Sequence, residues 1–390
     1  MKRALLSDPD RVRHPAVPHP PWPGNEHKVG DQEIFVRFTP ATSAAAEPAV
    51  FVHGLGGSAQ NWTDLSDAMS DLLEVEAIDL PGFGHSPPST QAVTIPRLSR
   101  IVAGWIIKSG RGPVHLAGCS LGGAVAAHVA ATRPALVRSL TLVSPAMPFG
   151  NPRRSRQSKL VPLLAVPGLE HLTERALAQR TPEEMVDAVY QGCWAEPERA
   201  HPQRRQEAID EARRRLSLPW NTRAYIQTFR GLLGSFAQSV LPAESSLRKL
   251  AKRIKCPTLV IWGKQDRVLD VRLAPNVARE IPDSRLIIFD RCAHVAMMEY
   301  PQAVARAMVA LFDEMAERER ATSEGKLMPL DGTHPDADPT EQSKPDSTPE
   351  MMKMSAGSDA TGDTAQRVDH PTEGTVSSPQ KPRHAEVPHP

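Results

Sequence analysis

An α/β domain with a mostly parallel sheet flanked by helices is predicted by three observations. Short apolar runs recur at 34–38, 49–52, 75–78, 114–117, 140–143, 258–262 and 286–289, continuous rather than alternating in polarity. Such runs suit strands buried on both faces, as in a parallel sheet covered by helices. Helix-like segments at 94–108, 121–132 and 301–318 are interspersed with them and set a β-then-α rhythm. That rhythm breaks once, over 146–251, where no strand-like run occurs and 182–186, 205–216 and 225–233 read as helices. About a hundred helical residues between two buried strands exceed a connecting loop, so an inserted cap over the carboxyl ends of the strands is expected.

At 390 residues the chain is long enough for one large domain with an insertion. Prolines mark its edges: six of the 38 fall within the first 23 residues and ten follow Arg320. Residues 1–25 therefore read as a Pro-rich arm outside the core, whose own segments are 26–145 and 252–318. No Phe, Tyr or Trp follows Phe312, and 331–350 is rich in Pro, Asp, Ser and Thr. Residues 319–390 lack the apolar area to offset ordering entropy and are expected to be a disordered tail that takes no part in the site.

The formal net charge of +1 gives no global reason to expect nucleic-acid or anionic-membrane binding. Arginines concentrate in 151–255, including Arg153-Arg154, Arg204-Arg205 and Arg213-Arg214-Arg215, and read first as solvated helix faces. Cys119, Cys193, Cys256 and Cys292 have no C-x-x-C spacing, which argues against a zinc site or a disulfide framework. The only apolar run near the N-terminus is Ala4-Leu5-Leu6, too short for a signal peptide, and no run of about 18 apolar residues exists for a membrane span. A cytoplasmic protein without an integral membrane segment is expected; the oligomeric state is not legible.

Chemistry concentrates at Gly118-Cys119-Ser120-Leu121-Gly122, which follows the apolar run 114–117 and precedes the Ala-rich helix 121–132. G-x-S-x-G at a strand-to-helix junction holds a serine hydroxyl out on a tight turn, making Ser120 the candidate nucleophile. A serine hydroxyl needs a base to take its proton and a third group to orient that base. Asp266 lies just beyond the strand at 258–262, and His294 lies between the strand at 286–289 and the last helix, both at the sheet edge that carries Ser120. Asp270 and Asp290 compete with Asp266 for the acid role, since Asp after a strand is also a common helix cap. An oxyanion needs preorganised donors, expected from the N–H of Leu121 and the N–H of Leu55 in His53-Gly54-Leu55-Gly56-Gly57-Ser58. The same loop lacks the G-K-[ST] ending of a phosphate cradle.

With Asp79-Leu80-Pro81-Gly82-Phe83-Gly84-His85-Ser86, Trp262-Gly263-Lys264-Gln265-Asp266 and Ala293-His294 followed by Glu299-Tyr300-Pro301, the sequence resembles the α/β-hydrolase superfamily over about 26–318. The resemblance implies the α/β-hydrolase fold with a helical cap at 146–251. It also implies Ser120 as nucleophile, Asp266 as acid, His294 as base and Leu55 and Leu121 as the oxyanion hole, with Asp79 in a structural turn. Cys119 stands where His is frequent and Cys292 where Gly is frequent. A serine rather than an aspartate at the elbow argues against dehalogenase and epoxide-hydrolase chemistry.

The reading favoured is a serine hydrolase, esterase- or lipase-like, acting without metal or cofactor on a carboxylic ester or related acyl bond of a small apolar substrate. Trp194, Trp220, Tyr225, Phe229, Leu232 and Leu233 suggest an apolar pocket or else simply pack the cap. Thioester, lactone, amide or carbon–carbon cleavage and cofactor-free perhydrolysis use the same residues, because fold does not choose among them. A noncatalytic ligand receptor on a hydrolase fold is the alternative from another class.

Overall fold

The computed structural model describes residues 1–147, 180–240 and 246–324, all within the compact unit Met1–Gly332. Among these residues the strands are β1 (Lys2–Arg3), β2 (Gly24–Val29), β3 (Gln32–Thr39), β4 (Glu47–Val52), β5 (Leu73–Ile78), β6 (Val114–Cys119), β7 (Val137–Val143), β8 (Thr258–Gly263) and β9 (Ser284–Phe289). They form one sheet in the order β1-β9-β8-β7-β6-β4-β5-β3-β2. Every pairing is parallel except those of β3 with β2 and β5. All residues of β6 and β8 are buried, as their mostly apolar text leads one to expect. The register pairs Val52 with Gly118, Cys119 with Val143 and Gly263 with Phe289, so the carboxyl ends of these strands open onto one edge.

The helices are α1 (Thr63–Met69), α2 (Ile95–Ser109), α3 (Leu121–Thr132), α4 (Pro182–Cys193), α5 (Pro202–Leu216), α6 (Asn221–Val240), α7 (Leu247–Ala251), α8 (Ala274–Glu280), α9 (Ala296–Glu299) and α10 (Pro301–Ser323). Strand alternation divides the core into two layers. Val50 and Val52 of β4 point into a cluster with α2, α3, α7 and α8, while Ala49 and Phe51 point to one with α1, α9 and α10. Phe51 and Trp62 are fully buried with ring centroids 5.0 Å apart, and burying such a side chain contributes about 1.5–3 kcal/mol.

Local signals set the helix ends. Thr94 caps α2 by accepting the Arg97 N–H, and Gly110 closes it at φ 67°. Thr181 and Glu184 form a capping box at the start of α4, with Pro182 in the first turn. Between β7 and α7 every described element of three residues or more is helical, and α4 and α5 bury a small core of Val186, Tyr190, Trp194 and Ile209. Residues 148–179 of the expected cap lie outside the described residues.

The N-terminal arm differs from the expectation of a segment outside the core. It makes a 3-10 turn at Pro9–Arg11, β1 adds to the sheet beside β9, and Ala4 and Val12 are buried in the layer of α10. Arg13 reaches Asp67, and Trp22 donates to the Thr63 carbonyl. Proline density carried no information on what that segment packs against. At the other end α10 continues to Ser323, past the expected limit of 318; the proposed tail from 325 onward lies outside the described residues. Among the described residues no helix is long and apolar enough to cross a membrane.

Candidate active site

Strand β6 ends at Cys119 and α3 starts at Leu121, so Ser120 alone makes the turn, at φ 52° and ψ −116°. A non-glycine residue so placed stores about 1–3 kcal/mol of strain and persists only when its surroundings hold it. Here the Ser120 N–H donates to Val143 O at 3.0 Å, and the Ser120 carbonyl accepts from Ala146 N–H and Ala124 N–H. The flanking glycines make the turn possible by close approach. A Cβ on Gly122 would lie 2.2 Å from Val52 O, one on Gly118 2.3 Å from Gly122 O, and one on Gly123 2.8 Å from Pro145 Cβ. The elbow is therefore packed backbone against backbone.

Asp266 and His294 come together from the loops after β8 and β9. His294 Nδ1–H faces Asp266 Oδ2 at 2.9 Å, and both side chains are buried. Asp266 Oδ1 accepts the Val268 and Leu269 N–H groups at 2.8 and 2.9 Å, which fixes the carboxylate plane. The competitors are engaged elsewhere: Asp290 pairs on the surface with Lys264, and Asp270 caps the turn at Val271–Leu273 and pairs with Arg272. Cys119 Sγ lies 3.9 Å from the His294 carbonyl, which sets the base loop against the residue preceding Ser120. Ser120 Oγ itself makes no hydrogen bond among the described residues. Burial pushes the Cys119 thiol well above its usual range, so it stays protonated beside the serine.

The loop after β4 borders Ser120: a Cβ on Gly54 would lie 3.1 Å from Ser120 Cβ. Gly57 N–H donates to Gly54 O, and Gly56 takes φ 79°, which makes 54–57 a turn with Leu55 at its outer corner. The Leu121 N–H, at the first position of α3, has no intrahelical partner. His53 is buried and fixed in one tautomer. Its Nε2 accepts the Leu80 N–H at 2.9 Å, so Nδ1 carries the proton and donates to Gly54 O at 2.7 Å. Burial pushes its pKa down, keeping it neutral.

Asp79 is structural, as the resemblance implied. Burial pushes its pKa up, but the neighbouring His85 and His53 and the backbone N–H groups of Ala59 and His85 outweigh this and hold the carboxylate below its ordinary range. Of the residues expected to line an apolar pocket, Trp194 stacks on Tyr190 at 5.1 Å in the small core of α4 and α5, Leu232 packs in the main core, and Phe229 is buried.

A second Ser–His–Glu chain lies toward the other end of the sheet, where His115 Nδ1 is 2.7 Å from Ser139 Oγ and Nε2 is 3.1 Å from Glu47 Oε2. Ser139 is 1% exposed within β7, sealed from any substrate, which makes this a satisfied polar cluster. Two groups near the candidate triad were not singled out in the sequence: Arg215, read as part of a solvated face, and Glu299, read only as part of a motif. Glu299 Oε1 accepts Ala293 N–H at 2.7 Å and Oε2 accepts Ala195 N–H at 2.8 Å, while His294 N–H donates to Cys193 O. The loop that carries His294 is thus tied to the end of α4.

The model of the alpha/beta hydrolase fold family matches residues 48–301. Among curated relatives, the dihydrolipoyllysine-residue acetyltransferase component of the acetoin cleaving system of Cupriavidus necator is 29% identical over 254 residues, covering 65% of this chain and 60% of that protein. Monoacylglycerol lipase ABHD6 of Bos taurus is 29% identical over 269 residues, covering 67% and 73%. A 2-hydroxy-6-oxononadienedioate/2-hydroxy-6-oxononatrienedioate hydrolase of Cupriavidus pinatubonensis is 26% identical, covering 72% and 92%. The solved structure of a putative lipase from Acinetobacter baumannii superposes with a TM-score of 0.60 at 22% identity, covering 76% of this chain and 93% of that one. With a family match over well more than half its length and the strand order to go with it, the chain belongs to the alpha/beta hydrolase fold family.

Proposed function

We propose that the protein is a serine hydrolase that cleaves a carboxylic ester of a small apolar substrate through an acyl-enzyme on Ser120. The observation that carries this reading is the Asp266–His294 hydrogen bond, with Asp266 locked by two backbone N–H groups, at the same sheet edge as a serine on a strained turn. His294 Nε2 takes the Ser120 proton as Oγ attacks the carbonyl carbon, and Asp266 keeps Nδ1 protonated and the ring oriented. The oxyanion accepts from Leu55 and Leu121 N–H, the alcohol leaves with the proton from His294, and water repeats the sequence to release the acid. No metal or cofactor enters these steps. Relatives named as lipases support the ester.

Carbon–carbon bond cleavage is the second reading, supported by the relative from Cupriavidus pinatubonensis. Thioester hydrolysis and perhydrolysis are variants on the same serine. A fluorophosphonate probe is expected to label the wild type and not Ser120→Ala. Equal labelling of both overturns Ser120 as nucleophile. p-Nitrophenyl esters from C2 to C16, assayed beside thioester and lactone panels, then rank the acyl chemistry. Binding of such compounds without turnover of any would point instead to a receptor.

A further inference from the structure

We propose that Arg215, at the end of cap helix α5, is a positioning residue that holds the 54–57 turn, and with it the Leu55 N–H, in place from the cap side; this rests on the serine-hydrolase reading above. Its Nη1 donates to Gly56 O at 2.6 Å, its Nε donates to Asn221 Oδ1 at 3.3 Å, and its guanidinium lies 5.7 Å from the Phe83 ring centroid. The other arginines of α5 are used differently. Arg204 pairs with Asp64 and Glu207, Arg205 with Asp187, Arg213 with Glu183 and Asp210, and Arg214 with Glu211. Arg204 and Arg214 also donate to backbone carbonyls, of His19 and Gly84, but beside their ion pairs; Arg215 alone of the five forms no ion pair among the described residues and gives its Nη1 to the Gly56 carbonyl. Burial lowers its pKa, with Glu211 opposing that shift, yet a guanidinium remains charged.

The turn it meets is anchored on two sides. From the core, His53 Nδ1–H and Gly57 N–H both donate to Gly54 O. From the cap, Arg215 takes Gly56 O, and the Tyr225 ring closes over Gly56, where a Cβ would come within 3.3 Å of Cε2. Leu55 lies between these anchors. A carbonyl fixed by a charged donor cannot rotate without losing a strong hydrogen bond, so the Gly54–Leu55 peptide, which carries the Leu55 N–H, is held through Gly54 O and the Gly56–Gly57 peptide through Gly56 O, which leaves the Leu55–Gly56 peptide between two held planes. Oxyanion donors act only if their direction is set before the reaction, and misplacement by about 1 Å can cost a hundredfold in rate. Arg215 thereby couples a seated cap to a competent site.

The test uses the full chain carrying Arg215→Met, which keeps most of the packing and removes the donor, and Arg215→Lys, which keeps one donor and the charge. Arg215→Met is expected to lower kcat on p-nitrophenyl butyrate by roughly 10- to 100-fold with KM within threefold, and to weaken a trifluoromethyl ketone that forms a tetrahedral adduct in the same proportion. Arg215→Lys is expected to recover most of the loss. Amide hydrogen exchange over 53–61, read without substrate, is expected to quicken in Arg215→Met and not in Arg215→Lys. Unchanged kcat, a loss confined to KM, or unchanged exchange over 53–61 overturns the assignment. If Arg215→Met does not fold, the same readouts on Asn221→Ala, which removes the acceptor that orients Arg215 through Nε, decide: values equal to wild type overturn it. Wild-type protein inert to every ester sinks the hydrolase reading alone, and the exchange data then judge the anchor separately.

Discussion

Asp266 divides its carboxylate between His294 and its own loop: Oδ2 accepts the imidazole Nδ1–H at 2.9 Å while Oδ1 accepts Val268 and Leu269 N–H. In Asp266→Asn the amide oxygen stays with the two N–H donors, and its NH2 turns toward Nδ1. That demands the opposite tautomer and moves the proton to the nitrogen that should act as base. The expected result is a folded protein with kcat lower by about 10³- to 10⁴-fold. Parallel assays of Asp290→Asn, whose carboxylate is solvent-exposed, should give near wild-type rates; a larger loss there would reassign the acid.

Two glycines separate stability from rate. Gly122→Ala drives a methyl to 2.2 Å from Val52 O, a backbone atom that cannot step aside, so a fall of several degrees or more in melting temperature is expected. Gly54→Ala meets Ser120 Cβ at 3.1 Å and Cys119 O at 3.4 Å, a contact that can be relieved by tenths of an ångström at the reacting group. It is expected to cost more in kcat than in stability. Thermal melts and ester kinetics on both variants check the contrast, and the reverse pattern would contradict it.

The residues of the candidate triad were readable because each announces itself locally, Ser120 by its glycines and Asp266 and His294 by following apolar strands. β2 and β1 were not, since an edge strand such as Gly24–Val29, exposed at half its positions, carries no apolar run. Short α1 and α8 likewise lie below the length at which periodicity speaks. Arg215 and Glu299 gain their meaning from partners 159 and 104 residues away, a relation that no window of sequence contains.

Glu299 is expected to matter through geometry more than charge. Glu299→Ala strands the Ala195 and Ala293 N–H donors, at about 1–3 kcal/mol for each buried group left unpaired. Melting temperature and kcat should both fall, with faster amide exchange near 195 and 293. Glu299→Gln keeps one acceptor and should fall between; wild-type values in the alanine variant would remove the tie from consideration.

Acid stability should draw on Glu314, whose carboxylate meets Arg285, Lys2 and Arg318. The hydrogen bond from Arg285 leads the effects that hold its pKa down at about 2, against an ordinary value of 4.5. A depressed folded-state pKa means the contribution is complete above the ordinary value and is lost as pH falls through the folded one. The stability gap between wild type and Glu314→Gln is therefore expected to be constant above about pH 5 and to shrink from there toward pH 2. Denaturant melts across that range measure it; a gap indifferent to pH would rule out the ion pairs as its source.

The contact of α3 with β4 through Gly122 and Val52 O contains no side chain. The spacing of α3 from β4 at that point is consequently not something that side-chain substitutions can adjust in small steps. Variation open to selection or to engineering lies elsewhere, in the helices that close over that frame. On the serine-hydrolase reading, exchanging residues 180–240 for the equivalent stretch of another family member is therefore the modular operation expected to change substrate range while leaving the Ser120 turn in place, provided the incoming segment brings its own counterpart of Arg215.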